Sequence, residues 1–318
     1  MIGEAAGHAG GPLTRPAGTL RTALARCAKR LDDAFPYWSL LPALLLFLAL
    51  TLYPLLRLVQ LSVSTVSFSG GHEHIVFDPG ANFTLLRQDP VLRPAIVNSL
   101  LFVAGSVTAE MIIGLALAIV IARLRRGKGF IRTIVILPIL VPPVAIGSMW
   151  KLIYNYDFGV VNQAVELFGL PHIDWLGSPQ LALLSVILVD VWHWVPFIFL
   201  ILFAAVEGLP VDIIEAAHID GGTPWQVTRY VMLPLLLPAI GIAFTFRAIL
   251  AFKAFDEVFL LTGGGPGTAT DLVSLYLYEV FFVQNQLGYG AMLSVGLILA
   301  IVSFLLVGRR AVGARLDG

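Results

Sequence analysis

Charge is scarce in this chain. Only 13% of its 318 residues are Asp, Glu, Lys or Arg, and the formal net charge is zero. A soluble domain carries about 25% charged residues. The shortage excludes an ordinary cytosolic enzyme and a disordered chain, and the lack of a basic excess excludes a nucleic-acid binder. Cysteine is nearly absent. Cys27 stands alone, so no intrachain disulfide can form. Catalytic patterns are missing as well: no phosphate-loop motif, no H-E-x-x-H pair and no matched Ser/His/Asp set occur. His72-Glu73-His74 brings two imidazoles close in sequence, but in a polar loop without further ligands it is no metal site.

Apolar residues fill the space instead. They make up 58% of the chain, and the mean hydropathy is +0.88. Crossing a bilayer takes about 20 mostly apolar residues. By that criterion spans are expected near 38–62, 95–122, 133–155, 181–206, 235–261 and 289–308. The first is too long for a signal-peptide core and lacks a cleavage pattern, so it reads as an uncleaved helix. The expected fold is all-α: a polytopic membrane protein of about six spans, with polar tails at 1–37 and 309–318 around a membrane domain at 38–308, its core at 95–308.

The basic residues orient these spans. Segments 1–37, 123–132, 207–234 and 309–318 hold 14 of the 20 Lys and Arg residues, whereas the alternate segments hold only Arg87 and Arg93. The positive-inside rule then places both termini in the cytoplasm. Residues 77–93, which mix turn formers with apolar side chains, are expected to lie along the outer interface.

Residues 207–238 form an unusual inside connection. Val211 to Ile219 can make a short helix after Pro210, with Ile213, Ile214 and Ala217 on one face. Gly221-Gly222 ends it, and Thr223 can cap a second short helix that has Pro224 in its first turn. Small side chains at the corner suit docking into a partner's groove. Glu215-Ala216-Ala217, Gly221 and Val231-x-Leu233-Pro234 at this spacing resemble the EAA motif of binding-protein-dependent ABC importer permeases. The resemblance implies a type I permease fold whose coupling helix enters a cytoplasmic ATPase, with Glu215, Ala216, Ala217, Asp220 and Gly221 making or shaping that contact.

Phe255-Asp256-Glu257, followed by Leu261-Thr262-Gly263-Gly264-Gly265-Pro266-Gly267, resembles a signature of carbohydrate-importer permeases. It resembles the subunit type of the larger maltose-transporter permease, in a six-span form, and the resemblance covers roughly residues 38–308. It implies a second permease subunit, two cytoplasmic ATPase subunits and an extracytoplasmic substrate-binding protein as partners, in a bacterial inner membrane. ATP and Mg would be used by the ATPases, and this chain would bind no cofactor or metal and catalyse nothing itself. The glycine run is no phosphate loop, because no Lys follows it.

Ionisable residues inside apolar spans are costly and should face the bundle interior or water. They include Glu110, Lys151, Asp190, His193, Arg247, Lys253, Asp256 and Glu257. Asp190, His193 and Trp194 follow an i, i+3, i+4 pattern that puts a carboxylate, an imidazole and an indole on one helix face, a set able to hydrogen-bond sugar hydroxyls and stack on a sugar ring. Lys253, Asp256 and Glu257 can neutralise one another on one face of the fifth span while lining the same path. Glu110 reads as structural. Pro138, Pro142 and Pro143 should break the third span. The sequence reading is therefore a permease subunit forming half of the path for a sugar, polyol or sugar derivative. The alternative is a secondary transporter or channel subunit, which leaves the EAA pattern unexplained.

Overall fold

A computed structural model describes residues 17–124 and 126–316. Two compact units divide at Arg57 and Leu58. The first contributes most of helix α1, Ala17–Ser62, whose apolar part, Tyr37–Ser62, is long and apolar enough to span a membrane. The helix thus starts well before the apolar run, inside the stretch read as a tail; the remainder of that stretch, 1–16, lies outside the described residues.

The second unit opens with a β-hairpin, β1 (Ser64–Ser69) against β2 (His72–Phe77), antiparallel with Ser67 opposite His74. An all-α reading missed it. Gly70 and Gly71 both adopt positive φ at the turn, which suits a two-residue hairpin loop. His72 and His74 therefore sit on a strand and not in a loop. Helix α2 (Pro79–Gln88) follows, N-capped by the Asp78 carboxylate, which accepts from the Ala81 N–H at 3.1 Å.

Membrane-length helices come next: α3 (Leu92–Ala122), α7 (Ala182–Glu207), α10 (Leu233–Phe252) and α13 (Leu287–Leu316). Helix α7 is apolar all round, which marks a central element. Much of its apolar stretch is buried, and its broadest contact is with α3. Gly114 makes that contact close: a Cβ there would stand 2.7 Å from Ile198 Cγ2. Among the described residues five helices are long and apolar enough to span, and a sixth span arises if one bent pair is taken together.

That pair is the third expected span, and it is broken as its prolines require. Helix α4 (Lys128–Ile136) runs into a tight turn at Leu137–Leu140, and α5 (Pro143–Ile153) leaves at 95°. Pro143 opens α5 at the position where a missing N–H costs nothing. Short helices complete the chain: α6 (Val160–Leu167), α8 (Val211–Ile219), α9 (Pro224–Val227), α11 (Asp256–Leu261) and α12 (Val273–Tyr278).

The fifth span is shorter than expected. It stops at Phe252, and α11 begins afresh at Asp256. Lys253, Asp256 and Glu257 consequently do not share one helical face. On the opposite side of α11, Gly147 of α5 lets the two helices touch, since a Cβ there would lie 2.5 Å from that of Leu260.

The loop after α11 is pinned by its own threonines and by α3. Thr270 Oγ1 donates to the Gly265 carbonyl at 2.8 Å, and Asn98 Nδ2 donates to that of Thr268 at 2.8 Å. Nearby, the Asp89 carboxylate accepts from the hydroxyls of Tyr276 and Tyr289 and from the N–H groups of Val91 and Leu92, tying the start of α3 to α12 and α13. Burial alone would raise this carboxyl, but these donors outweigh it and hold it below the usual range.

Candidate functional site

Two sites emerge in the second unit. The first is a buried ionic network between α3, α7, α10 and α11. Arg247 of α10 lies at its centre. Its Nη2 donates to Glu110 Oε1 at 2.8 Å, its Nε stands 2.6 Å from Glu110 Oε2, and Nη2 also pairs with Asp190 Oδ2. All three side chains are buried. Two carboxylates close to one guanidinium offset its charge, which makes so deep a cation tolerable, although Arg247 Nε and Glu110 Oε2 make no hydrogen bond among the described residues. His193 Nδ1 pairs with Glu257 Oε1, both buried, and so anchors the first turn of α11 to α7.

Trp194 closes the group. Its ring lies 4.9 Å from Arg247 Cζ and 5.2 Å from the His193 ring. Beside it opens a cavity of about 240 Å³, lined by Asp190, Trp194, Arg247, Lys253, Asp256 and Glu257 among others. Among the described residues Asp190 Oδ1 has no hydrogen-bond partner. Carboxylate, guanidinium and indole around one opening can take hydroxyls and the apolar face of a ring.

The structure thus brings together Asp190, His193 and Trp194 as their spacing predicts. It reassigns Glu257, whose partner is His193 and not Lys253. Lys253 and Asp256 are exposed at the cavity, and among the described residues no ion pair engages either. Arg247 and Glu110 were legible as ionisable residues in apolar spans, but only the fold shows that they hold the cavity wall.

The second site is the α8–α9 corner. Helix α8 ends at Asp220, whose N–H donates to the Ala216 carbonyl at 2.9 Å. Gly221 takes φ +83°, and the Gly222 N–H then donates back to the Ala217 carbonyl at 3.0 Å. This is a left-handed helix stop. Thr223 and Gln226 form a reciprocal cap on α9, Thr223 N–H to Gln226 Oε1 at 2.8 Å and Gln226 N–H to Thr223 Oγ1 at 3.4 Å.

The inward face of α8 is Ile214 and Ala217, both packed on the core that α7 and α10 share. Ile213, expected beside them, faces outward. Glu215, Ala216, Asp220 and Gly221 are exposed, whereas Ala217 is half-buried and cannot be part of a freely exposed corner. Ile219 and Trp225 flank the glycines with 86% and 67% of their surface exposed. Such apolar exposure beside a rigid turn marks a surface meant to be covered.

Residues 110–312 match the family described as the binding-protein-dependent transport system inner membrane component. The chain is 32% identical over 279 residues to the trehalose/maltose transport system permease protein MalF of Thermococcus litoralis, with 85% of this chain and 91% of the relative covered. It is 31% identical over 258 residues to the sulfoquinovosyl glycerol transport system permease protein SmoG of Agrobacterium fabrum, covering 80% and 83%. A chain of a bacterial alginate ABC transporter, crystallised with an alginate pentasaccharide-bound periplasmic protein, shares the fold at TM-score 0.78 and 21% identity, over 88% of this chain and 94% of that one. The chain belongs to the binding-protein-dependent transport system inner membrane component family. It is a multi-pass inner-membrane permease subunit of an ABC importer.

Proposed function

We propose that this permease forms one half of a translocation path for a carbohydrate, a polyol or a sugar derivative, with substrate passing the Asp190–Trp194–Arg247 cavity. The observation that carries the reading is that cavity: a tryptophan face, a carboxylate with one oxygen lacking a hydrogen-bond partner among the described residues, and a guanidinium line one opening. The sugars named for the trehalose/maltose and sulfoquinovosyl glycerol permeases support the same class.

The partners in this proposal are a second permease subunit, two ATPase subunits and an extracytoplasmic binding protein. ATP and Mg belong to the ATPases. The exposed α8–α9 corner, with Glu215, Ala216, Asp220 and Gly221 around its stop and Ala217 bracing it from within, docks the ATPase. The distribution of Lys and Arg supports cytoplasmic termini and a cytoplasmic corner.

The test is uptake by the reconstituted complex of a panel of labelled mono-, di- and oligosaccharides, polyols and sugar phosphates. Wild-type complex should take up one class. Trp194→Ala and Asp190→Asn should weaken that uptake while the ATPase stays bound. Unchanged uptake kinetics in both variants would remove these residues from the path.

A further inference from the structure

The turn between α3 and α4 holds cations that the fold does not use. Residues 123–132 contain five Lys and Arg residues and no acid. Two of them are engaged. Arg123 Nη2 donates to Thr228 Oγ1 at 2.5 Å, and Lys128 Nζ pairs with Glu207 Oε1 at 2.7 Å over the ring of Phe203. Arg126 and Arg132 are exposed, and among the described residues no ion pair engages them.

Helix α4 adds a second observation. Gly127, at φ +74°, redirects the chain into it, and the chain bends by 95° beyond Leu140. Val135 and Ile136 pack inward. Phe130 and Ile134, one turn apart, expose 73% and 50% of their surface, and Leu137 follows at 52%. At 3.6 residues per turn Arg132 falls on the side of Val135 and Ile136, yet it stays exposed. An exposed apolar edge beside exposed arginines, at the start of the broken span, suits contact with acyl chains and headgroups together.

We propose that the α3–α4 turn binds the headgroups of anionic phospholipids. Arg126 and Arg132 take the phosphates, for which a guanidinium fork is matched, and Phe130, Ile134 and Leu137 enter the acyl boundary. Charge complementarity selects this occupant: juxtamembrane clusters of Lys and Arg attract an anionic leaflet. The site bears on transport because α4 leads through Leu137–Leu140 to Pro143, which lines the Asp190–Arg247 cavity. Anionic lipid would hold the broken span in the pose that shapes this wall. The proposal rests on the cytoplasmic placement of residues 123–132 given above.

The experiment uses the whole importer in vesicles of phosphatidylcholine with increasing phosphatidylglycerol. Uptake by wild type should rise by about fivefold with the anionic lipid, two arginine contacts being able to supply that much. The Arg126→Gln/Arg132→Gln double variant should lose most of the rise while keeping its ATPase subunits. A photo-crosslinker at Phe130 should capture lipid. A wild type indifferent to lipid, a double variant with the wild-type dependence, or a crosslink to the second permease would each overturn the proposal. Labelling of Gly129→Cys from each side reads the orientation separately: reaction from outside overturns the topology, and an inside-only label without lipid response overturns the lipid site alone.

Discussion

Arg247 Nη2 donates to Glu110 Oε1 at 2.8 Å, joining α10 to α3 in a place with almost no solvent contact. The bond completes a set in which one cation answers two carboxylates. Removing one partner of a buried pair costs about 3–5 kcal/mol, because the other charge is stranded. Arg247→Met should therefore lower the melting temperature of the detergent-solubilised permease sharply. Adding Glu110→Gln and Asp190→Asn should return part of the loss. Lys253→Met, at an exposed position without an ion-pair partner among the described residues, should change the melt little. A wild-type melt for Arg247→Met would mean that water screens the network.

Helices α5 and α11 meet through Gly147. Their contact is too close for any side chain there, since the added Cβ would lie 2.5 Å from Leu260 Cβ. Overpacking of this kind costs about 1–3 kcal/mol. Gly147→Ala should depress both stability and uptake, and Leu260→Ala in the same chain should recover some of each. The check is melting and initial uptake rate of the two singles and the double. Additive losses would show that the helices do not share this contact.

Much of this architecture is readable from the sequence because the bilayer simplifies the problem. Spans declare themselves by length and hydropathy, and α3, α7, α10 and α13 fall close to where the apolar runs predict. The proline break of the third span follows from backbone chemistry alone. The hairpin at Ser64–Phe77 was missed although Gly70-Gly71 between two short runs bearing Thr, Val, Ile and Phe is a hairpin signal; the polar residues among them read as a loop. The end of α10 was also missed. Phe252 to Leu261 stays apolar enough to continue a helix, and only the packing of α11 on α5 reveals the restart at Asp256. For the same reason Glu257 could be assigned a partner four residues away, when tertiary structure supplies His193 from another helix.

Asp271 offers a pH-dependent observable outside the spans. It is buried beside Glu279, and burial, with a smaller push from that neighbour, raises its carboxyl from 3.8 to about 6. A raised folded value means that the folded state favours the proton. This carboxyl therefore contributes stability at low pH that is lost as pH rises through about 6. Asp271→Asn should melt higher than wild type above about pH 7 and differ less near pH 5. The measurement is the difference between the two melting temperatures at each pH, which cancels titrations common to both. A constant difference would show that Asp271 does not titrate in this range.

The strongest test concerns the corner between α8 and α9, because different side chains there separate folding from docking. Gly221 has open space around it but a φ of +83°, so Gly221→Val strains the backbone without an internal clash. Such a substitution costs about 1 kcal/mol or more, too little to unfold the permease but enough to displace the corner. Gly222→Ala fails differently, since its Cβ would stand 2.7 Å from the Ala217 carbonyl and break the hydrogen bond that closes the turn. Ala217→Trp is a poor probe, because Ala217 packs inward and the variant would disturb the core. Ile219→Glu is the clean one: with 86% of its surface exposed, it supports nothing within this chain. Ile219→Glu should leave melting and membrane level at wild-type values, yet release the ATPase or uncouple it from uptake. Glu215→Ala, which removes only polar contacts, should do so more mildly. The assay is co-purification of the ATPase together with uptake from membranes of equal permease content. Full uptake by Ile219→Glu and Gly221→Val would show that the ATPase docks elsewhere and that the corner serves only to connect α7 to α10.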